Sequence, residues 1–516
     1  MAMRERAKQA LLAFITFGAM DAGGASPSAD DGAHAGMRAV AAAHFEVISP
    51  CPFPIGAVDP SRIVCGFLDA PENRSAPSAS RVRIPVVRIR STGASAKSDT
   101  VIFLHGGPGA APLESARTIE RFSQHPFAAE RDIILFNQRG SAQTIPALTC
   151  ESLRAGRIDI YAADLTLAGR DAEIAAAAAA CLREMNSQGR DLEVYGAAAA
   201  AADLKDLREA MGVERWNLLA VSYGTLLALE AARIDPQGVR SLILDSVVSP
   251  QSDLFMSEGP RNFSLGLDRL LDACARDPVC AADFPDLAAQ LRDVLDALEK
   301  KPVVVAVAGE GGQGSVDIIV NWHDFLGAVH WMLYNAQTLR QVPLLIASTR
   351  RGDPRLLTQI MDRVFPAPRN GPNGASPAFF AFVCRDQFTT DRAIEALPGN
   401  AAYRGFSITT FIDETCAGAA GKPQAPMTAV ESRVPALLLS GKFDPMTPDL
   451  YALQAVAGLP RASFVSVGNS GHSTLSDFNA CQTRLAVEFV DTLASPVVCA
   501  PEETRPVFIR SFDELQ

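Results

Sequence analysis

Basic charge is in short supply in this chain. It holds 47 Lys and Arg against 58 Asp and Glu, for a net charge of −11. No basic block stands out along it. That balance argues against a nucleic-acid backbone or an anionic membrane surface as a partner. Long apolar runs are also missing: no uninterrupted stretch approaches the ~18 residues of a spanning helix, so no membrane anchor is expected. None of the ten cysteines belongs to a CxxC pair, and no Cys/His cluster has zinc spacing. No metal and no cofactor is therefore expected. Gly and Pro, at 37 and 34, are ordinary for the length and exclude collagen-like and low-complexity classes.

What is present is a chain of 516 residues, 48% of them hydrophobic, able to bury a sizeable core. Arg4, Arg6 and Lys8 make a basic start, Ala10–Met20 is a short apolar run, and small residues follow from Ala22 to Ser26. Charge, apolar core and small-residue site is the order of a secretory signal. The expected division is a signal over 1–25, with a cut after Ala25 or near Ala33–Ala35, and a flexible leader over 26–44. An exported chain would oxidise its cysteines. Pairing sequence neighbours gives bridges 51–65, 150–181, 274–280, 384–416 and 481–499. The expected compartment is periplasmic or extracellular.

Downstream, Arg81–Arg90 is the first strand candidate: it alternates charged and apolar residues, and Pro85 within it reads as an edge strand. Short continuous apolar runs follow, as in buried parallel strands: Val101–Leu104, Ile133–Phe136, Trp216–Val221, Leu242–Leu244, Pro435–Leu439 and Phe464–Val467. Helical stretches lie between them: Asp171–Met185, Ala198–Met211, Leu226–Arg233, Asp449–Val456 and Cys481–Leu493. This alternation predicts an α/β fold with a mostly parallel sheet. It stops after Asp245 and resumes at Val434. The stretch between is mainly helical in pattern, with Pro/Gly-rich joints at 365–377 and 418–426. The expected organisation is core over 45–248, an inserted helical cap over 249–433, and core again over 434–516.

Three strand ends carry chemistry. In Leu219-Ala-Val-Ser222-Tyr-Gly-Thr225 a strand runs into a helix through a small-residue turn, the geometry that exposes a nucleophilic serine beside a helix N-terminus. In Val101-Ile-Phe-Leu-His-Gly-Gly107-Pro-Gly109 a strand runs into a glycine loop whose uncovered backbone N–H groups can serve an oxyanion, with the Tyr223 N–H as second donor. The loop lacks the G-K-[ST] ending of a phosphate loop. In Val434–Pro448 a strand precedes Asp444, and the next strand precedes Gly471-His472. An Asp so placed orients a histidine, and the histidine serves as general base. Thr447 either lines the pocket or caps the helix after Pro448.

The order Ser222, Asp444, His472 is that of α/β-hydrolases. The chain resembles those of the prolyl aminopeptidase and tripeptidyl aminopeptidase type. The resemblance rests on His105–Gly109, Asn137-Gln-Arg-Gly140, Ala202–Arg208, Trp216–Thr225, Val239–Ser246, Cys274–Cys280, Phe382–Asp386 and Pro435–His472. It covers most of the chain from about residue 50. Ala220 stands where the family has Gly, and Asn137 where it has Asp. The resemblance implies an α/β-hydrolase fold with a helical cap, the triad Ser222, Asp444 and His472, and an exported exopeptidase cutting short peptides near the N-terminus. Such an enzyme needs a carboxylate for the substrate ammonium. Asp386 is the first candidate, and Glu258, Asp413 and Glu414 follow. An ester hydrolase on the same triad is the main alternative, and a non-catalytic binding protein with a hydrolase fold the other.

Overall fold

A computed structural model describes residues 42–515, apart from 78–79, 94–95, 151–152, 154–156, 256, 309–313, 365–375, 390–398, 420–421, 423, 477 and 479. The expected signal, nearly all of the leader and most of the joint at 365–377 lie outside the described residues.

The chain builds one nine-stranded sheet and one two-stranded sheet. The large sheet contains β1 (His44–Ile48), β2 (Ile63–Pro71), β3 (Arg81–Ile89), β4 (Lys97–Leu104), β5 (Arg131–Phe136), β6 (Trp216–Val221), β7 (Val239–Asp245), β10 (Ala436–Gly441) and β11 (Ala462–Val467). Its spatial order is β1-β2-β3-β5-β4-β6-β7-β10-β11. The first three pairings are antiparallel and every pairing from β5 through β11 is parallel. The interior strands β5 and β10 are buried at every position. This explains their unbroken apolar runs: helices cover both faces of a parallel sheet.

Helices α1 (Ala116–Ser123), α2 (Arg157–Ala162), α3 (Leu167–Ser187), α4 (Ala197–Ala210) and α5 (Tyr223–Ile234) accompany the first half. Between β7 and β10 the chain leaves the sheet. There it forms α6 (Gly259–Arg276), α7 (Pro278–Asp283), α8 (Leu287–Lys300), α9 (Trp322–Met332), α10 (Ala336–Leu339), α11 (Val342–Arg350), α12 (Arg355–Val364), α13 (Pro377–Asp386) and α14 (Ile412–Gly418). Helices α15 (Asp449–Val456) and α16 (Cys481–Thr492) complete the sheet's cover. Separate apolar clusters pack the two faces of the sheet. A third centres on α6, α8, α9, α11 and α12 of the helical segment.

Three readings need correction. Arg81–Ile89 is not the first strand, because β1 and β2 precede it, and β1 begins at His44, inside the stretch read as leader. Nor is it an edge strand: β3 pairs with β2 on one side and β5 on the other. Pro85 is tolerated because β5 ends at Phe136. On that side Pro85 only accepts, from the Asn137 N–H at 3.2 Å, so no ladder donor is lost. The helical segment also holds a hairpin, β8 (Val303–Ala308) against β9 (Ser315–Val320). Its β-branched residues alternate between buried and open positions, with Val305 and Val307 buried.

All five expected cysteine pairs are disulfides: 51–65, 150–181, 274–280, 384–416 and 481–499. Among the described residues no helix is long and apolar enough to cross a membrane.

Candidate active site

The elbow after β6 sets the geometry. Ser222 has φ +57° and ψ −130°, a region that costs a non-glycine residue about 1–3 kcal/mol. Surrounding bonds hold it there. Its N–H donates to Asp245 O at 2.9 Å, and Thr225 N–H and Oγ1 both donate to Ser222 O, at 2.8 and 2.7 Å. The turn also needs a bare neighbour. A Cβ on Gly106 would fall 2.7 Å from Ser222 Cβ and 3.1 Å from Val221 O. Ala220 is accommodated within β6, in register with Leu104 and Leu244, and is 1% exposed.

The glycine loop after β4 is held by the pair that follows β5. Gln138 Nε2 donates to His105 O at 2.7 Å, and Gly109 N–H donates to Gln138 Oε1 at 2.7 Å. Asn137 Oδ1 accepts from Leu113 N–H at 3.1 Å, while its Nδ2 donates to Ala142 O at 2.8 Å. A carboxylate at 137 could make the first bond but not the second, which accounts for Asn at this position. Among the described residues neither Gly107 N–H nor Tyr223 N–H donates to a protein acceptor. Tyr223 is the first residue of α5, at the positive end of the helix.

Asp444 and His472 meet at the ends of β10 and β11. His472 Nδ1 is 2.9 Å from Asp444 Oδ2. Thr447 Oγ1 donates to the same oxygen at 2.6 Å, and Met446 and Thr447 N–H both donate to Oδ1 at 2.8 Å. Asp444 is 1% exposed. Burial alone would raise its pKa, but the His472 charge and the bonds from His472 and Thr447 bring it below the ordinary value. A carboxylate that stays ionised keeps His472 in the tautomer with Nδ1 protonated and Nε2 free to accept a proton. Tyr334 packs on the His472 ring at 4.6 Å between centroids. Behind it His330 is fully buried, and burial holds its pKa down at about 3, so it stays neutral beside His472.

Asp245, at the end of β7, anchors the His472 loop. Its Oδ1 accepts from Thr474 N–H and Oγ1, and its Oδ2 from Leu475 N–H, all at 2.9 Å. Sequence reasoning quoted the segment holding Asp245 without assigning it a role. The three donors at 2.9 Å lie more than two hundred positions away, and no local pattern points to them.

Ser222, His472 and Gly107 open onto one cavity of about 510 Å³. The sheet edge forms one wall. The segment between β7 and β10 forms the other, with Phe255, Trp331, Tyr334, Phe379, Ile408 and Phe411. Glu114, just after the glycine loop, is the one carboxylate among the described wall residues.

The alpha/beta hydrolase fold family matches residues 99–478. The chain belongs to the α/β-hydrolase family. Among curated proteins it is 27% identical over 229 residues to serine protease Hip1 of Mycobacterium tuberculosis, a match covering 43% of each chain. It is 29% identical over 208 residues to a tripeptidyl aminopeptidase of Streptomyces lividans, covering 38% of this chain and 37% of that one. It is 27% identical over 253 residues to the putative hydrolase YuaR of Escherichia coli, covering 47% and 48%. In each case the match spans less than half of the relative's length.

In this α/β-hydrolase the carboxylates sought for a substrate ammonium lie elsewhere. Asp386 is 8% exposed and off the cavity wall, bonded to the Tyr223 hydroxyl and, at 2.9 Å, to Ala197 N–H. Glu258 accepts from the Tyr451 hydroxyl at 2.6 Å, Arg261 at 2.8 Å and Asp253 N–H at 3.0 Å. Asp413 is half-buried and Glu414 exposed on α14, neither on the wall. Thr447 lies behind Asp444 rather than on the wall, and the Tyr223 ring is fully buried.

Proposed function

We propose that the protein is an exported serine hydrolase that cleaves short peptides near their N-terminus. Ser222 is the nucleophile, His472 the general base and Asp444 the group that orients it. The backbone N–H groups of Gly107 and Tyr223 receive the oxyanion. The observation that carries this reading is the buried Asp444–His472 bond facing the same cavity as a serine strained at a strand-to-helix elbow. In the reaction Ser222 Oγ bonds to the substrate carbonyl carbon while His472 Nε2 takes its proton. His472 returns that proton to the leaving amine as the acyl bond breaks. Water, deprotonated by His472, then bonds to the acyl carbon, and His472 gives that proton to Ser222 Oγ as the ester bond to Ser222 breaks.

A peptide substrate is supported by relatives named as a serine protease and a tripeptidyl aminopeptidase. In this reading the segment over 249–433 is a cap that closes over the sheet edge and selects the substrate, and Glu114 on the cavity wall faces the substrate ammonium. Export is supported by the five disulfides, which persist in oxidising compartments. The largely apolar aromatic wall favours a second reading, an ester hydrolase on the same residues.

The test compares a chromogenic peptide amide with a free N-terminus, its N-acetylated form and a simple chromogenic ester. The aminopeptidase reading expects the acetylated form to be cut at least about tenfold more slowly. It also expects Glu114→Gln to lower kcat/KM for the free-amine substrate while leaving the ester unchanged. Equal rates on free and acetylated peptides would transfer the assignment to an ester hydrolase or endopeptidase.

A further inference from the structure

The two proposed oxyanion donors belong to separate segments. Gly107 lies in the loop after β4, and Tyr223 follows β6. Both must sit about 2.7–3.1 Å from one developing oxygen, so their relative position controls the rate. Adjacent strands fix the strand ends, and Gln138 holds the loop beyond β4 from one side. Helix α13, from the segment between β7 and β10, touches both.

At its N-terminal end α13 meets the glycine loop. Ser376 Oγ donates to Gly109 O at 3.3 Å. The approach is close: a Cβ on Gly109 would fall 2.8 Å from both Ala378 Cβ and Phe379 N. At its C-terminal end α13 meets the elbow. Asp386 Oδ2 accepts the Tyr223 hydroxyl and, at 2.9 Å, Ala197 N–H at the start of α4. Gly196 leaves room for it, since a Cβ there would lie 2.6 Å from Asp386 Oδ1. One turn earlier, Phe382 packs edge-on against the Tyr223 ring at 6.0 Å and 79°. The disulfide Cys384–Cys416 ties the same end of α13 to α14. The Tyr223 phenol and its partner carboxylate are both buried, so water does not substitute for either.

We infer that α13 is a brace that sets the spacing of the two oxyanion donors, with Asp386 as a positioning residue acting through the Tyr223 side chain. The inference rests on the oxyanion assignment proposed above. It gives Asp386 a role in the transition state without contact to substrate. Tyr223 then has two functions: its backbone receives the oxyanion, and its hydroxyl fixes where that backbone sits. The same helix places Phe379 on the cavity wall, so the element that lines the substrate cavity also holds the oxyanion donors in register.

The experiment uses the full chain with Tyr223→Phe, Asp386→Ala and Asp386→Asn. It reads kcat, KM and inhibition by a boronic acid that forms a tetrahedral adduct on the nucleophile. Tyr223→Phe and Asp386→Ala should lower kcat by about tenfold or more, with KM changed less than about twofold. Boronate affinity should fall by the same factor as kcat, because both need the oxyanion donors in place. Asp386→Asn keeps an acceptor oxygen and should recover most of both. If Asp386→Ala does not fold, Tyr223→Phe, which removes a single oxygen, carries the test. A lowered Tm with unchanged kcat and boronate affinity would make α13 a packing element only and overturn the inference. A change confined to KM would overturn it too. Ser222→Ala separates the two levels. Retained turnover there sinks the serine mechanism itself, whereas unchanged kcat in Tyr223→Phe sinks the brace alone.

Discussion

Replacing Asp245 by Asn tests whether the His472 loop is anchored from β7. Asp245 is 2% exposed, and three donors converge on its carboxylate at 2.9 Å. Burial raises its pKa, and the bonds from Leu475 and Thr474 oppose that rise. Asn keeps one oxygen. If that oxygen retains the two Thr474 bonds, the amide NH2 faces Leu475 N–H, donor against donor. Losing one bond to a buried charged acceptor and stranding its donor costs about 2–3 kcal/mol. The loop can relieve this only by moving Thr474 and Leu475, and His472 lies two residues before Thr474. A displacement of about 1 Å at a catalytic base costs on the order of 10²-fold in rate. Thermal unfolding should therefore show a lower Tm, and hydrolysis of a chromogenic substrate a kcat reduced by about 10- to 100-fold. Asp245→Ala, which removes every contact the carboxylate accepts, should be worse on both counts. An Asp245→Asn protein with wild-type Tm and kcat would refute the anchoring argument.

Gly106→Ala should lower kcat by at least about tenfold while the chain still folds, because its Cβ would meet Ser222 Cβ at 2.7 Å; steady-state kinetics with circular dichroism checks this, and full activity would show that the elbow yields easily. Asp386 provides a pH test. Burial pushes its pKa up to about 6, opposed by the Tyr223 and Ala197 bonds and by Arg385, and reinforced by Glu230. In the unfolded chain an Asp titrates near ~3.9. The folded state therefore binds the proton more tightly, and stability is lost as pH rises from roughly 3.9 to 6. Relative to Asp386→Asn, the wild type should lose about 3 kcal/mol across that window; denaturant titrations at the two ends measure it, and a parallel pH dependence in both proteins would contradict it. Denatured, unreduced protein should show none of its ten cysteines as free thiols, and reduction should lower its stability, since bridges restrict the unfolded chain; a full thiol titre in protein from its natural compartment would argue against export.

The sheet was legible where strands are buried on both faces. Ile133–Phe136 and Leu437–Leu439 read as apolar runs because no side of them meets water. The helix Asp449–Val456 was legible from its pattern and its position after Pro448. Strand β2 was not, because Cys65, Gly66 and Asp69 interrupt its apolar alternation. The hairpin β8–β9 was hidden inside a helical segment, where two short β-branched runs gave the only signal. Ser222, Asp444 and His472 stood out because each follows a strand, Ser222 and His472 among small residues and Asp444 before a proline. Which carboxylate serves which partner was not legible. Asp386 sits in a segment that resembles the family, but the partners that fix its role are 163 and 189 positions away. Likewise Glu114 carries no signal beyond its place after the glycine loop; only the folded cavity puts it on the wall.

The most direct test of the central claim is covalent labelling with a fluorophosphonate, read by peptide mass spectrometry. If Ser222 is activated by His472 held on Asp444, one equivalent of label should attach, on the peptide containing Ser222. Ser222→Ala should take up none, and its turnover should fall by about 10⁶-fold with the fold intact. Label on a different residue, or undiminished hydrolysis by Ser222→Ala, would contradict the account.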